Sequence, residues 1–114
     1  MKLRTLPTIV LLYALIFYPG ASWAGGDLIF VTNTREGTLS VISRDTHEVI
    51  KTLPAGRKSN RIGLAPDGRT VIIINDGSIY VRIFDAWELR FKKRVQGGRD
   101  PYNMAFSPDG KYVY

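Results

Sequence analysis

One tight turn recurs in this chain at a fixed spacing. Ala65-Pro66-Asp67-Gly68 and Ser107-Pro108-Asp109-Gly110 stand forty-two residues apart. Each follows an apolar triplet, Ile62-Gly63-Leu64 or Met104-Ala105-Phe106, and each leads into a second apolar run, Val71–Ile74 or Tyr112-Val113-Tyr114. Proline pre-sets the φ of the second turn position, aspartate accepts from the backbone beyond it, and glycine takes the position with positive φ. The chemistry therefore predicts a strand, a sharp reversal and a second strand, twice, with about forty residues between repeats.

The same offset relates positions well outside the turn. Asn33 matches Asn75, Val41-Ile42 matches Ile83-Phe84, Val49 matches Phe91, Leu53 matches Val95, and Gly56 matches Gly98. Between the turn signals lie short β-branched and aromatic runs. Strands are expected at Leu28–Asn33, Thr38–Ser43, Glu48–Leu53, Arg61–Leu64, Thr70–Asn75, Ile79–Asp85, Leu89–Val95 and Asn103–Phe106. Turns are expected at Thr34–Gly37, Arg44–His47 and Asp76-Gly77, and Gly97-Gly98 breaks the chain. No segment after residue 24 sustains a 3.6-residue apolar period, so no helix is expected. A period near 40–45 residues with four short strands per unit is the signature of a β-propeller blade. The fold class is therefore all-β, in blades of four antiparallel strands. Blades stack face to face, which explains the unbroken apolar run at Val71–Ile74. A small residue between large ones, Gly63 or Ala105, suits the narrow innermost strand.

The first 24 residues read differently. Lys2 and Arg4 precede an apolar run, Leu6–Tyr18; Pro19-Gly20 ends it, and Ser22-Trp23-Ala24 places small residues where a signal peptidase cuts. The run holds about 13 residues against the ~20 that cross a bilayer. Cleavage between Ala24 and Gly25 is expected, with a periplasmic or secreted product of residues 25–114 and no stable membrane anchor. The chain's formal charge is +6; removing Lys2 and Arg4 leaves fourteen basic residues against ten acidic ones, mostly dispersed. Such a mildly basic surface argues for solubility more than for nucleic acid. The absence of cysteine excludes disulfides, thiolate metal sites, cysteine nucleophiles and an N-terminal lipidated cysteine.

At Phe30-Val31-Thr32-Asn33, Gly37-Thr38-Leu39-Ser40-Val41-Ile42-Ser43, Ala65-Pro66-Asp67-Gly68 and Ser107-Pro108-Asp109-Gly110-Lys111-Tyr112-Val113-Tyr114 the chain resembles the YVTN family of β-propeller repeats. The resemblance covers residues 27–114 and departs in the middle unit, where Ile72-Ile73-Ile74-Asn75 replaces the signature strand. By the order of that family, residues 28–53 supply strands two to four of one blade, residues 61–95 a whole blade, and residue 103 onward the start of a third. About two blades fall short of the roughly 4–8 that close a ring. The expectation is an N-terminal part of a longer protein, or a subunit that closes a ring with further copies.

Few residues read as chemistry. His47, the single histidine, falls in a polar turn beside Asp45 and Glu48, too sparse a set for a metal site. Asp67 and Asp109 are turn residues, and Gly97-Gly98 lacks the lysine and helix of a phosphate loop. No catalytic residue, metal site or cofactor is expected. The better candidates precede each innermost strand, in loops that rim the channel of such folds: Arg57, Lys58, Asn60 and Arg61, then Arg99, Asp100, Tyr102 and Asn103. A cationic rim suits a small anionic ligand, a haem propionate or a phosphate. Lys92-Lys93-Arg94 is expected on an outermost strand, where charge discourages edge pairing. The expected function is an exported, non-catalytic binding or scaffolding module for a protein or small anion. Membership of a periplasmic redox system that holds quinone or haem is the first alternative, and weak nucleic-acid binding through basic loops the second.

Overall fold

The computed structural model describes residues 27–114. The expected signal segment and the expected Ala24–Gly25 cleavage site lie outside the described residues. Seven strands follow in order: β1 (Leu28–Asn33), β2 (Thr38–Ser43), β3 (Val49–Pro54), β4 (Ser59–Leu64), β5 (Thr70–Asn75), β6 (Tyr80–Asp85) and β7 (Arg90–Gln96). They form two antiparallel meanders, β1-β2-β3 and β4-β5-β6-β7, and no helix occurs among the described residues. Both sheets are open at their edges, as expected for blades of an unclosed propeller.

The sheets pack face to face around one core. Leu39, Val41, Leu53 and Ala55 of the first unit meet Val71, Ile73, Phe84 and Ala86 of the second. Alternation along β2 and β6 puts these residues on the shared side. β5 departs from alternation, because all five residues from Val71 to Asn75 are buried. Val71 and Ile73 enter the shared core. Ile72 and Ile74 line the opposite face, in an apolar hollow completed by Val81, Met104, Val113 and Tyr114. A strand covered on both sides must be apolar throughout, which accounts for the isoleucine run.

The backbone repeats more closely than the side chains. Left-handed residues occur in pairs forty-two apart: His47 (φ 58°) with Leu89 (50°), Gly56 (81°) with Gly98 (96°), Lys58 (53°) with Asp100 (52°), and Gly68 (65°) with Gly110 (72°). Hydrogen bonds repeat with them. Ala55 N donates to Gly37 O at 2.8 Å and Gly97 N to Ile79 O at 2.9 Å; Ala65 N donates to Thr70 O at 2.8 Å and Ser107 N to Tyr112 O at 2.9 Å. Even the bulge between Val41 and Ile42 in one sheet recurs between Ile83 and Phe84 in the other.

Several strand limits differ from the sequence expectation. β4 begins at Ser59 rather than Arg61, since Ser59 already pairs with Asn75 ahead of a bulge. β3, β6 and β7 each begin one residue later than expected, and β3 and β7 also end one residue later. Asn103–Phe106 is not a strand; Phe106 makes a single bridge to Val113. Asn103 Oδ1 accepts from Met104 N at 2.9 Å, which removes a donor that a ladder would use. The third turn nonetheless packs on the second unit. A Cβ built on Gly63 would lie 2.7 Å from Met104 Sδ and 3.0 Å from Phe106 Cε2, so successive innermost segments meet where the side chain is missing.

Candidate functional site

Antiparallel order divides the loops between two ends. The β1–β2 and β5–β6 hairpins lie at the same end as the crossover 55–58 and the segment 97–103, while the β2–β3, β4–β5 and β6–β7 turns lie at the other. The first group is laced together. Ala55 N donates to Gly37 O at 2.8 Å, Asp76 N to Lys58 O at 3.0 Å, and Gly77 N to Asp100 Oδ1 at 3.1 Å. Thr34 Oγ1 donates to Ser59 O at 2.8 Å. Gly37 is required twice over: its φ is 70°, and a Cβ there would sit 2.9 Å from Gly56 O.

The residues expected at the rim fall on this end. Arg61, the third residue of β4, and Tyr102, in the segment 97–103, are brought together, with the Arg61 guanidinium 4.8 Å from the centre of the Tyr102 ring. Asn60 Nδ2 donates to Asp76 Oδ2 at 3.0 Å, fixing β4 against the β5–β6 hairpin. Arg57, Lys58 and Arg99 are exposed, and Lys58 is held in its left-handed conformation. Asp100 is committed to Gly77, and Asn103 to the backbone of Met104. The structure thus unites Arg61 with Tyr102 and leaves Arg99 apart.

A cationic concavity lies elsewhere on the same end. A cleft of about 180 Å³ opens beneath the 55–57 crossover, lined by Arg57, Asn75, Asp76, Ser78, Arg82 and Arg94 among others. Arg82 and Arg94 are directly opposed across β6 and β7. The Arg82 guanidinium lies 5.7 Å from the centre of the Phe91 ring, and that of Arg94 lies 5.0 Å from Tyr80. A Cβ on Gly56 would come within 2.6 Å of Arg82 Nε, so only glycine lets the crossover lie on this side chain. Asn75 forms the inner wall. Its Nδ2 donates to Ala55 O at 2.9 Å and to Arg57 O at 3.0 Å, while its buried Oδ1 has no protein donor. Sequence reasoning missed Arg82 and Arg94. The Lys92-Lys93-Arg94 run reads as a charged edge strand, which β7 is, and only the register against β6 reveals that Arg94 faces Arg82.

The opposite end holds structural carboxylates. Asp67 Oδ1 accepts from Arg69 N and Thr70 N, each at 2.8 Å, and Oδ2 from Thr70 Oγ1 at 2.7 Å. The Thr70 amide leads in holding Asp67 below the usual aspartate range; burial opposes it, and the Arg69 amide and the Thr70 hydroxyl add to it. Asp85 is 1 % exposed. It accepts from Trp87 N and Glu88 N at 2.9 Å and from Arg69 Nε at 2.8 Å. Burial works against its charge, but the Glu88 amide, the Arg69 guanidinium and the Trp87 amide outweigh it and keep its pKa lowered. Arg69 also reaches Glu88, which Arg90 contacts in turn. His47 stands exposed in the β2–β3 turn at this end, away from the rim loops. Among the described residues no group of three or more His, Cys, Asp or Glu side chains converges on one point.

Comparison with known proteins agrees with this architecture. Residues 5–114 match the YNCE-like beta-propeller family. No curated protein matches the sequence. Among solved structures, hydrazine synthase of Kuenenia stuttgartiensis superposes with a TM-score of 0.71 at 23 % identity, over 79 % of this chain and 26 % of that one. Dihydro-heme d1 dehydrogenase NirN, solved in complex with DHE, superposes with a TM-score of 0.67 at 26 % identity, over 76 % of this chain and 19 % of that one. The chain therefore spans about a quarter or less of the length of these two structures.

Proposed function

The chain belongs to the YNCE-like beta-propeller family, and from that premise we propose that it is an exported, non-catalytic binding or scaffolding module with YVTN-type repeats. Its two units act within a larger ring, and the loops that precede each innermost strand receive a small anionic ligand or an acidic group of a partner protein. The observation that carries this reading is the contact of Arg61 with Tyr102. Consecutive repeats supply a cation and an aromatic face to one spot, which is how a composite rim site is built from equivalent loops. Arg57 and Lys58 add charge beside it. The other end supports the reading by contrast, because its carboxylates are used up in turn geometry and in the Arg69 ion pair.

The test is a titration of the purified chain with citrate at fixed ionic strength. Arg61→Ala and Tyr102→Ala are each expected to weaken binding about fivefold or more, in line with the loss of a charge-assisted contact. Unchanged affinity in both variants contradicts the reading.

A second reading has one observation in its favour. The NirN structure, at 26 % identity over 76 % of this chain, was solved in complex with DHE. A place in a periplasmic redox system, with the full ring holding or serving a quinone or haem, follows by analogy. The rim could contribute Arg61 to a propionate and Tyr102 to a ring face. His47 could not ligate a group held there, being at the opposite end. Haemin binding sensitive to Arg61→Ala supports this reading; haemin binding insensitive to that change speaks against it.

A further inference from the structure

We propose that the cleft beneath the 55–57 crossover is a binding site for a tetrahedral dianion: hydrogenphosphate, sulfate or a phosphomonoester. The proposal rests on the cleft's own geometry and does not need the rim site.

The first ground is an unbalanced charge that the fold maintains. Like charges placed directly opposite on neighbouring strands destabilise a sheet, yet Arg82 faces Arg94 across β6 and β7. The ion pairs among the described residues are Arg69–Asp85, Arg69–Glu88 and Arg90–Glu88, so neither arginine of the cleft is neutralised, and nor is Arg57. The single carboxylate on the wall, Asp76, already accepts from Asn60. Three guanidinium groups against one carboxylate leave two positive charges, the complement of a dianion.

The second ground is positioning. Phe91 and Tyr80 lie against the faces of the Arg82 and Arg94 guanidinium groups, at 5.7 and 5.0 Å. Stacking fixes the plane of each group while its edge N–H donors stay available, the arrangement that suits forked recognition of an oxyanion. The crossover presses on Arg82 at Gly56, where no other residue would fit without displacing it. A volume of about 180 Å³ admits a phosphate group with a small substituent.

Calorimetry on the purified chain at constant ionic strength tests the site with inorganic phosphate, sulfate, nitrate and glycerol 3-phosphate. Phosphate and sulfate are each expected to bind at least about fivefold more tightly than the monoanion nitrate. Arg94→Met, at an exposed position, and Arg82→Met are each expected to weaken phosphate about tenfold, and Gly56→Ala to weaken it by displacing Arg82. Arg44→Met, in the exposed β2–β3 turn at the opposite end, should leave phosphate binding unchanged. Glycerol 3-phosphate binding more tightly than phosphate assigns the site to an organic ester; binding less tightly assigns it to the free ion. Equal affinity for phosphate and nitrate, absence of phosphate binding, or a folded Arg94→Met variant with unchanged affinity overturns the proposal. Should Arg82→Met fail to fold, Arg94→Met decides alone.

Discussion

Asp85 shows how a single residue sets a measurable property. It is buried, charged and held by two amides and one guanidinium, and its pKa is lowered in the fold. A lowered folded-state pKa contributes stability above the unfolded value, near pH 4, and that contribution is lost as pH falls through the folded value. The wild-type chain is therefore expected to lose stability on acidification below about pH 4, and Asp85→Asn to show a flatter acid limb in chemical denaturation; identical limbs would refute the role. Asp67 acts more locally. Its two oxygens collect three hydrogen bonds across the Pro-Asp-Gly turn. Asp67→Ala is expected to cost about 1 kcal/mol by urea denaturation, with no effect on ligand binding at the far end.

At the scale of elements, β5 is the centre of the second unit. Its side chains are covered on both faces, by the first sheet at Val71 and Ile73 and by the following hairpin at Ile72 and Ile74. Ile73→Ala is expected to destabilise by about 2–5 kcal/mol, whereas Ile29→Ala, on the open face of β1 at 45 % exposure, should change stability by less than about 1 kcal/mol. The same strands show what a sequence can convey. Turn chemistry at Pro66-Asp67-Gly68 and the apolar run at Val71–Ile74 announce themselves, since local sterics and burial dictate both. The left-handed conformation of Leu89, matching that of His47, does not, because leucine does not favour positive φ; the repeating backbone imposes it. Nor does the apposition of Arg82 and Arg94, which depends on a bulge that shifts the β6–β7 register at Ile83 and Phe84. The Arg61–Tyr102 contact was half legible: the repeat puts both residues near the start of an innermost segment, but their meeting needs the third turn to fold back over Gly63.

Across the described residues the two ends differ in how their charge is used. One end spends its polar side chains on turns and on the ion pairs around Arg69. The other gathers Arg57, Arg61, Arg82 and Arg94 around glycines and laced loops, with aromatic rings beside three of the four. The edges of both sheets stay open, and Ile29 and Val31 are exposed on the outer face of β1, so the two units suit incorporation into a larger ring. The reading of the N-terminal segment makes a separate prediction: protein recovered from the periplasm of an expressing bacterium should begin at Gly25 by N-terminal sequencing, and recovery of a chain beginning at Met1 would contradict it. The account as a whole turns on the cationic end being where anions bind. The most direct measurement is the map of backbone amide shifts as phosphate is titrated into isotopically labelled protein. Shifts concentrated at Gly56, Arg57, Asn75–Ser78, Arg82 and Arg94 are the predicted result. Shifts centred on Asp67, Asp85 or His47 at the opposite end, or none at all, would contradict it.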